Sequence, residues 1–259
     1  MRFLFIGDIV GKPGRDCLQK ILPKLINMHH YDLIIANGEN AAGGNGITEK
    51  IYYELRDLGV DILTGGNHIW DRKDVFNFID REPGLLRPLN YPPDTTPGRG
   101  CTIVERNGNK IAVINLMGRV FMDPVDCPFR AVKKKLFELK DQVGIIIVDM
   151  HAEATSEKQA MGWFLNGEVS AVIGTHSHVQ TADERILPGK TAYITDVGMA
   201  GLYDSVLGVD REGPLKRFLT QLPHKLEISG GREVFNAVDI EIDAENGNAL
   251  FIRRIYDLI

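Results

Sequence analysis

Short runs of consecutive apolar residues, each closed by glycine or a polar residue, recur along the chain and set its architecture. Residues 2–7, 32–36 and 61–64 read as buried strands, each an apolar run behind a charged first residue. Between them, residues 16–28 and 48–58 repeat their apolar positions at helical spacing. Thr48 stands where its hydroxyl can cap the amides of the second helix. Residues 70–80 are expected to form a further helix. Strand and helix patterns that alternate in this way imply parallel strands with helices packed on their faces.

From residue 87 the pattern changes. The proline-rich stretch 87–100 reads as a long loop. Residues 102–105 and 110–116 flank Arg106-Asn107-Gly108-Asn109, whose Asn-Gly pair suits a hairpin turn with positive φ. A helix (129–140), a strand (144–149), a helix (155–165) and a strand (170–174) follow. A second hairpin over 184–195 turns about Pro188-Gly189. Residues 233–242 and 249–256 form a last β pair across Asn246-Gly247. No repeat, low-complexity tract or linker interrupts the series. Residues 1–259 are therefore expected to form one α/β domain built on two packed sheets. Apolar loops around Tyr91-Pro92-Pro93 and residues 199–203 are candidate contacts of a homo-oligomer.

Composition narrows the function classes. The 259 residues, 44% hydrophobic and 25% charged, suit a globular chain with a sizeable core. A net charge of −5 argues against an extended nucleic-acid footprint, because phosphate neutralisation supplies most of that affinity. It leaves room for a small anionic substrate met locally by metal ions. No segment reaches the roughly 18 apolar residues of a membrane helix, and the first apolar run is too short for a signal peptide. Three scattered cysteines, Cys17, Cys101 and Cys127, form no CxxC pair, so a reducing, cytoplasmic setting is expected.

The chemistry gathers at strand ends. Asp8 follows the first strand, Glu39-Asn40 the second and Asn67-His68 the third. His151 and the pair His176 and His178 follow two later strands, so four of the seven histidines stand at such ends. Open α/β sheets bind ligands outside the carboxyl ends of their strands. Carboxylate, amide oxygen and imidazole together suit divalent iron, manganese, cobalt or zinc, and the set exceeds one coordination sphere. A two-metal centre activates a water and clamps the oxygens of a phosphoryl displacement.

These residues also carry a resemblance. Gly66-Asn67-His68, a distant histidine, and Gly174-Thr175-His176-Ser177-His178 resemble the calcineurin-like metallophosphoesterase superfamily. The segments 5–11, 37–42, 66–71, 151–158, 174–183 and 193–199 look closer still to its bacterial YmdB-like branch, and they span most of the chain. The resemblance implies a four-layer αββα sandwich with two mixed β-sheets and a dinuclear centre, commonly iron or manganese. It implies that Glu39 bridges the ions, that Asp8, Asn40 and His178 complete one site, and that Asn67, His151 and His176 complete the other. It makes His68 the acid that protonates the leaving oxygen, and it points to cyclic nucleotides, 2′,3′-cyclic AMP in particular, attacked by a metal-bound hydroxide. Two departures from the superfamily pattern stand out: Asp8-Ile9-Val10 replaces Asp-x-His, and Glu39 replaces a bridging aspartate.

Other roles compete for the same residues. Asp8 can cap a helix, Asn40 can bond within its loop, and His68 can orient substrate without transferring a proton. Asp71 reads as an exposed carboxylate at a helix start. The run Gly43-Gly44-Asn45-Gly46 reads as a flexible loop rather than a phosphate cradle, and Trp70, Trp163 and Tyr203 as packing residues rather than base platforms. The competing functions are a phosphomonoesterase or nuclease with the same centre, and a metal- and nucleotide-binding regulator with weak turnover.

Overall fold

In the computed structural model, which describes residues 1–92 and 95–259, two sheets stack face to face with helices on both outer sides. The chain opens with β1 (Arg2–Ile9), α1 (Gly11–His29), β2 (Leu33–Asn37), α2 (Glu49–Asp57), β3 (Ile62–Thr64) and β4 (Leu85–Leu86). The hairpin β5 (Cys101–Arg106) and β6 (Asn109–Met117) follows, then α3 (Pro128–Leu139), β7 (Ile145–His151), α4 (Thr155–Phe164) and β8 (Ala171–Thr175). The chain ends with β9 (Arg185–Ile186), β10 (Ala192–Ile194), β11 (Met199–Leu202), α5 (Glu212–Thr220), β12 (Glu233–Ile242) and β13 (Ala249–Leu258).

One sheet has the order β13-β12-β11-β1-β2-β3-β4 and the other β5-β6-β7-β8-β10-β9. Both are mixed: parallel in their centres, with antiparallel strands at the margins. Alternation within β1 shows how the layers are built. Phe3 and Phe5 point into the inter-sheet core, with Ile35, Val113, Ile147 and Ile173. Leu4 and Ile6 face α1, against Leu18 and Leu22. The outer face of the second sheet, with Ile114 and Val148, is covered by Val132 of α3 and Met161 of α4. A strand covered on both faces has no polar side, which is why its sequence reads as one apolar run.

Most expected elements appear where their patterns place them. Asn107 and Gly108 take φ of 52° and 75°, the positive values a two-residue hairpin turn requires. The Thr48 hydroxyl accepts from the Ile51 amide at 3.4 Å. Helix α1 starts earlier than residue 16, because Pro13 sits in a first turn whose amides have no intrahelical partner.

The helix expected over 70–80 is not formed; only a 3₁₀ turn, Lys73–Asn77, is present. The side chains there bond to other segments and hold the backbone open. Asp74 accepts from the Glu49 amide at 2.7 Å, and Asp80 accepts from the Gly98 amide at 2.6 Å. The apolar spacing survives without the helix, since Val75, Phe78 and Ile79 are all buried. Residues 199–202 are no exposed loop. They form β11, buried in mid-sheet and paired in parallel with Asp8 and Ile9 just where β12 leaves β1. Tyr91 packs edge-on against Trp70, with ring centroids 5.8 Å apart, while Pro93 of the other supposed contact loop lies outside the described residues.

Candidate metal centre

The carboxyl ends of the parallel strands in both sheets point the same way, and the candidate ligands meet there. Asp8 lies in β1 directly opposite Asn37 of β2, and Glu39 and Asn40 fill the turn after β2. The 65–68 turn after β3 is fixed across the sheets, where Asn115 of β6 accepts from the Gly65 amide at 3.1 Å. His151 is the last residue of β7. His176 and His178 follow β8 with φ of 101° and 62°. Two non-glycine residues held in such conformations mark a segment whose surroundings impose its shape.

Glu39 is the hub. Its Oε1 lies 2.9 Å from His151 Nε2, and its Oε2 accepts from the His68 amide at 3.0 Å. His151 Nε2 also lies 3.1 Å from Asn67 Oδ1 and 3.0 Å from His176 Nδ1. The ligand atoms of Glu39, His151 and His176 all fall within 4.8 Å of one another. On the other side of Glu39, Asp8 Oδ1 lies 3.6 Å from His178 Nε2, and Asp8 Oδ2 accepts from the His176 amide at 3.2 Å. The Asn40 amide nitrogen stands between them, 3.4 Å from Asp8 Oδ1 and 3.2 Å from His178 Nε2. A half-turn of that amide puts its oxygen at the same point, which ligation requires. All seven expected ligands thus meet in two groups that share Glu39.

The tautomers follow from the outer partners. His178 Nδ1 donates to the Leu207 carbonyl at 2.9 Å, which leaves its Nε2 lone pair facing Asp8. Thr175 gives its only hydroxyl proton to Asp149 Oδ1 at 2.7 Å, so it accepts from His151 Nδ1 at 2.9 Å and leaves His151 Nε2 facing Glu39. His176 Nε2 donates to Glu153 Oε2 at 3.1 Å, and its Nδ1 faces the cluster. Three imidazole lone pairs, two buried carboxylates and an amide oxygen therefore converge on one small volume. Such a set repels itself unless a cation sits within it, so the donor set fits divalent transition metals.

The ionisation of the side chains says the same. Burial alone would lower the basicity of His151, but the Glu39 carboxylate beside it prevails and raises the ring to about 9. A proton there holds the place of a cation. Burial likewise opposes the charge on Asp8, yet the hydrogen bond and charge of His178 keep its carboxyl below the usual range. Burial and the His151 charge push His176 down to about 3, so this imidazole is a neutral donor.

His68 lines the rim of a cavity of about 250 Å³ above these residues, together with Glu153, His178 and Leu207. Its Nδ1 lies 2.8 Å from Asp71 Oδ2. Asp71 is thus engaged with His68 and with the Asn45 amide at 3.3 Å, and it starts no helix. The 43–46 glycine run is pinned, not loose: Arg72 donates to the carbonyls of Asn45 at 2.9 Å and Ala42 at 2.5 Å. None of Trp70, Trp163 and Tyr203 lines this cavity. Trp70 stacks on Phe76 with centroids 5.3 Å apart.

Gly66 shows how tightly the site is built. A Cβ there would stand 2.3 Å from His151 Nε2 and 2.4 Å from Glu39 Oε2. Gly174 does the same for the strands, since its Cβ would strike the Thr195 carbonyl oxygen at 1.7 Å.

A model of the YmdB-like protein family matches residues 4–255, which include every residue of this cluster. The chain belongs to the YmdB-like family. A 2′,3′-cyclic-nucleotide 2′-phosphodiesterase of Bacillus subtilis is 52% identical to it over 98% of this chain and 96% of its own length. Among solved structures, a protein of Thermus thermophilus superimposes with a TM-score of 0.94 at 43% identity, covering 100% of this chain and 99% of the other. A phosphatase of Mycoplasma pneumoniae gives a TM-score of 0.94 at 35% identity, covering 100% of this chain and 93% of its own. The two mixed sheets with helices on both outer sides form the metallophosphoesterase-like sandwich that the sequence resemblance implies.

Sequence reading missed Thr175, Asp149, Glu153 and the Leu207 carbonyl, which orient the three histidines. Asp149 alone left a signal: an acid inside an apolar strand, two residues from His151 and so on its face.

Proposed function

We propose that this YmdB-like chain, a phosphoric ester hydrolase, works as a single domain that cleaves cyclic nucleotides at a dinuclear metal centre, with 2′,3′-cyclic AMP the favoured substrate and iron or manganese the favoured ions. The observation that carries this reading is the convergence of His151 Nε2, His176 Nδ1 and His178 Nε2 with the buried Asp8 and Glu39 carboxylates in two groups that share Glu39. Asp8, Glu39, Asn40 and His178 would hold one ion, and Glu39, Asn67, His151 and His176 the other. Bound there, divalent ions supply positive charge to the phosphate oxygens and acidify a water to near-neutral pH.

The protein's own groups do the rest. The Asp8 and Glu39 carboxylates balance part of the added charge and leave a surplus for a phosphodiester. Asp71 fixes the His68 ring through Nδ1, so that Nε2 faces the cavity and donates to the departing ribose oxygen. The 52% identity to the Bacillus phosphodiesterase supports the choice of substrate class. Among the described residues no helix is long and apolar enough to cross a membrane, and three free thiols fit a cytoplasmic setting.

The test is metal analysis of protein purified without added metal, paired with a screen of cyclic nucleotides and aryl phosphates. About two transition ions per chain and turnover of 2′,3′-cyclic AMP are expected. His68→Ala should keep the ions and lose about 10²–10⁴-fold in kcat on the nucleotide, with a smaller loss on an activated aryl ester. Full metal content with no hydrolysis of any phosphodiester would refute the reading.

A further inference from the structure

A second cavity lies outside the metal centre. It measures about 600 Å³, within the size range of small-molecule sites, and α3 forms one wall. Arg130 and Lys134, one helical turn apart on that wall, face it together with Arg119 from the preceding loop. None of these three side chains makes a hydrogen bond or ion pair among the described residues. Lys135 is committed to Glu138, and Asp126 is the one acid of the lining without a cation partner. Cys127 gives the first turn of α3 no side-chain cap, so free amides add to the positive field. Tyr91 and Leu89 supply an aromatic and an aliphatic wall. In a chain of net charge −5, a nucleotide-sized cavity lined by three cations that have no partner among the described residues is a local reversal of sign.

The cavity is tied rigidly to the metal centre. The Gly118 amide donates to the His151 carbonyl at 2.9 Å, and the Arg119 amide donates to Glu157 at 3.1 Å. On the far wall, Tyr91 packs against Trp70, two residues beyond His68.

We infer that this cavity binds a phosphate group carried on a nucleoside, held by Arg119, Arg130 and Lys134 beside the catalytic centre. Two sources have that chemistry: the upstream nucleotide of an oligonucleotide ending in a 2′,3′-cyclic phosphate, or a free nucleotide. The binding itself does not rest on the proposed hydrolysis, so its first readout is calorimetric. Adenosine 5′-monophosphate is titrated into the metal-loaded protein and into Arg130→Gln/Lys134→Gln, at low and at physiological salt. The variant is expected to bind at least about tenfold more weakly, since hydrogen bonds to charged groups are lost, and wild-type binding should weaken with salt.

Kinetics on 2′,3′-cyclic AMP and on a 5′-phosphorylated dinucleotide with a 2′,3′-cyclic end then separate the sources. A KM raised about tenfold on the dinucleotide alone assigns the cavity to extended substrates. Unchanged kinetics on both, with weaker binding of the monophosphate, assigns it to a free nucleotide. Equal affinity and equal kinetics in wild type and variant overturn the inference. So does a variant that also loses turnover of a small aryl phosphodiester, which would place these cations in the catalytic centre.

Discussion

Replacing Lys158 with methionine tests whether the His176–His178 segment is held from behind. Lys158 is buried in α4, and its Nζ donates to Asp196 Oδ2 at 2.7 Å and to the Thr175 carbonyl at 3.0 Å. Asp196 is equally buried and accepts from the amides of Ser177 at 2.9 Å and Gly198 at 2.8 Å. One ion pair therefore grips the backbone on both sides of His176 and ties it to the entry of β11. Lys158→Met keeps most of the stem and removes the ammonium, leaving a buried carboxylate with only backbone donors. Breaking one partner of such a pair costs about 3–5 kcal/mol. At about 2–4 °C per kcal/mol for a chain of this size, the melting temperature should fall by roughly 6–20 °C. The positive-φ conformations of His176 and His178 each cost of order 1–3 kcal/mol, which this tie offsets, so metal affinity should fall as well. Thermal unfolding of metal-free protein and a metal titration read the two effects. Lys158→Met/Asp196→Asn removes the orphaned charge and should recover at least half of the lost stability. A single variant that melts within about 2 °C of wild type and binds metal equally well would refute the argument.

The remaining predictions concern the cluster itself. Gly66→Ala drives a methyl between His151 and Glu39 without backbone strain, so it should fold with a penalty of about 1–3 kcal/mol yet lose metal, as read by elemental analysis; full metal content would count against the cluster. Glu153→Leu removes the acceptor of the His176 Nε2 proton. Because Glu153 is half exposed and water can replace it, the loss in metal affinity should lie near the lower end of the usual 10–100-fold range, about tenfold, with Glu153→Gln restoring most of it. In metal-free protein, His151 has a folded pKa raised from 6.5 to about 9. The stability this contributes is fully present below pH about 6.5 and is lost as pH rises through about 9, some 3 kcal/mol in all. Denaturation at pH 6 and pH 9.5 should show that loss without metal and not with it, since a bound cation replaces the proton; equal loss in both states would contradict the assignment.

The candidate ligands were legible because each stands at the end of an apolar strand, and the rule that parallel sheets bind at their carboxyl edge needs no knowledge of distant contacts. What orients them was not. Glu153, Thr175 and Lys158 act on residues that only the folded topology brings near, and nothing in the local pattern separates them from ordinary helix or strand positions. The failed helix over 70–80 has the same cause. Its apolar spacing was correct and Val75, Phe78 and Ile79 are buried, but Asp71, Arg72 and Asp74 bond to partners in other segments, and those bonds outweigh helical propensity. Strand β11 was missed because a four-residue strand with a glycine carries no periodicity of its own; its neighbour β1 defines it. The segment that resisted prediction, residues 70–74, is also the one that pins the glycine run and orients His68. A backbone that departs from its own preference beside a catalytic candidate is where tertiary bonds, and through them function, have set the structure.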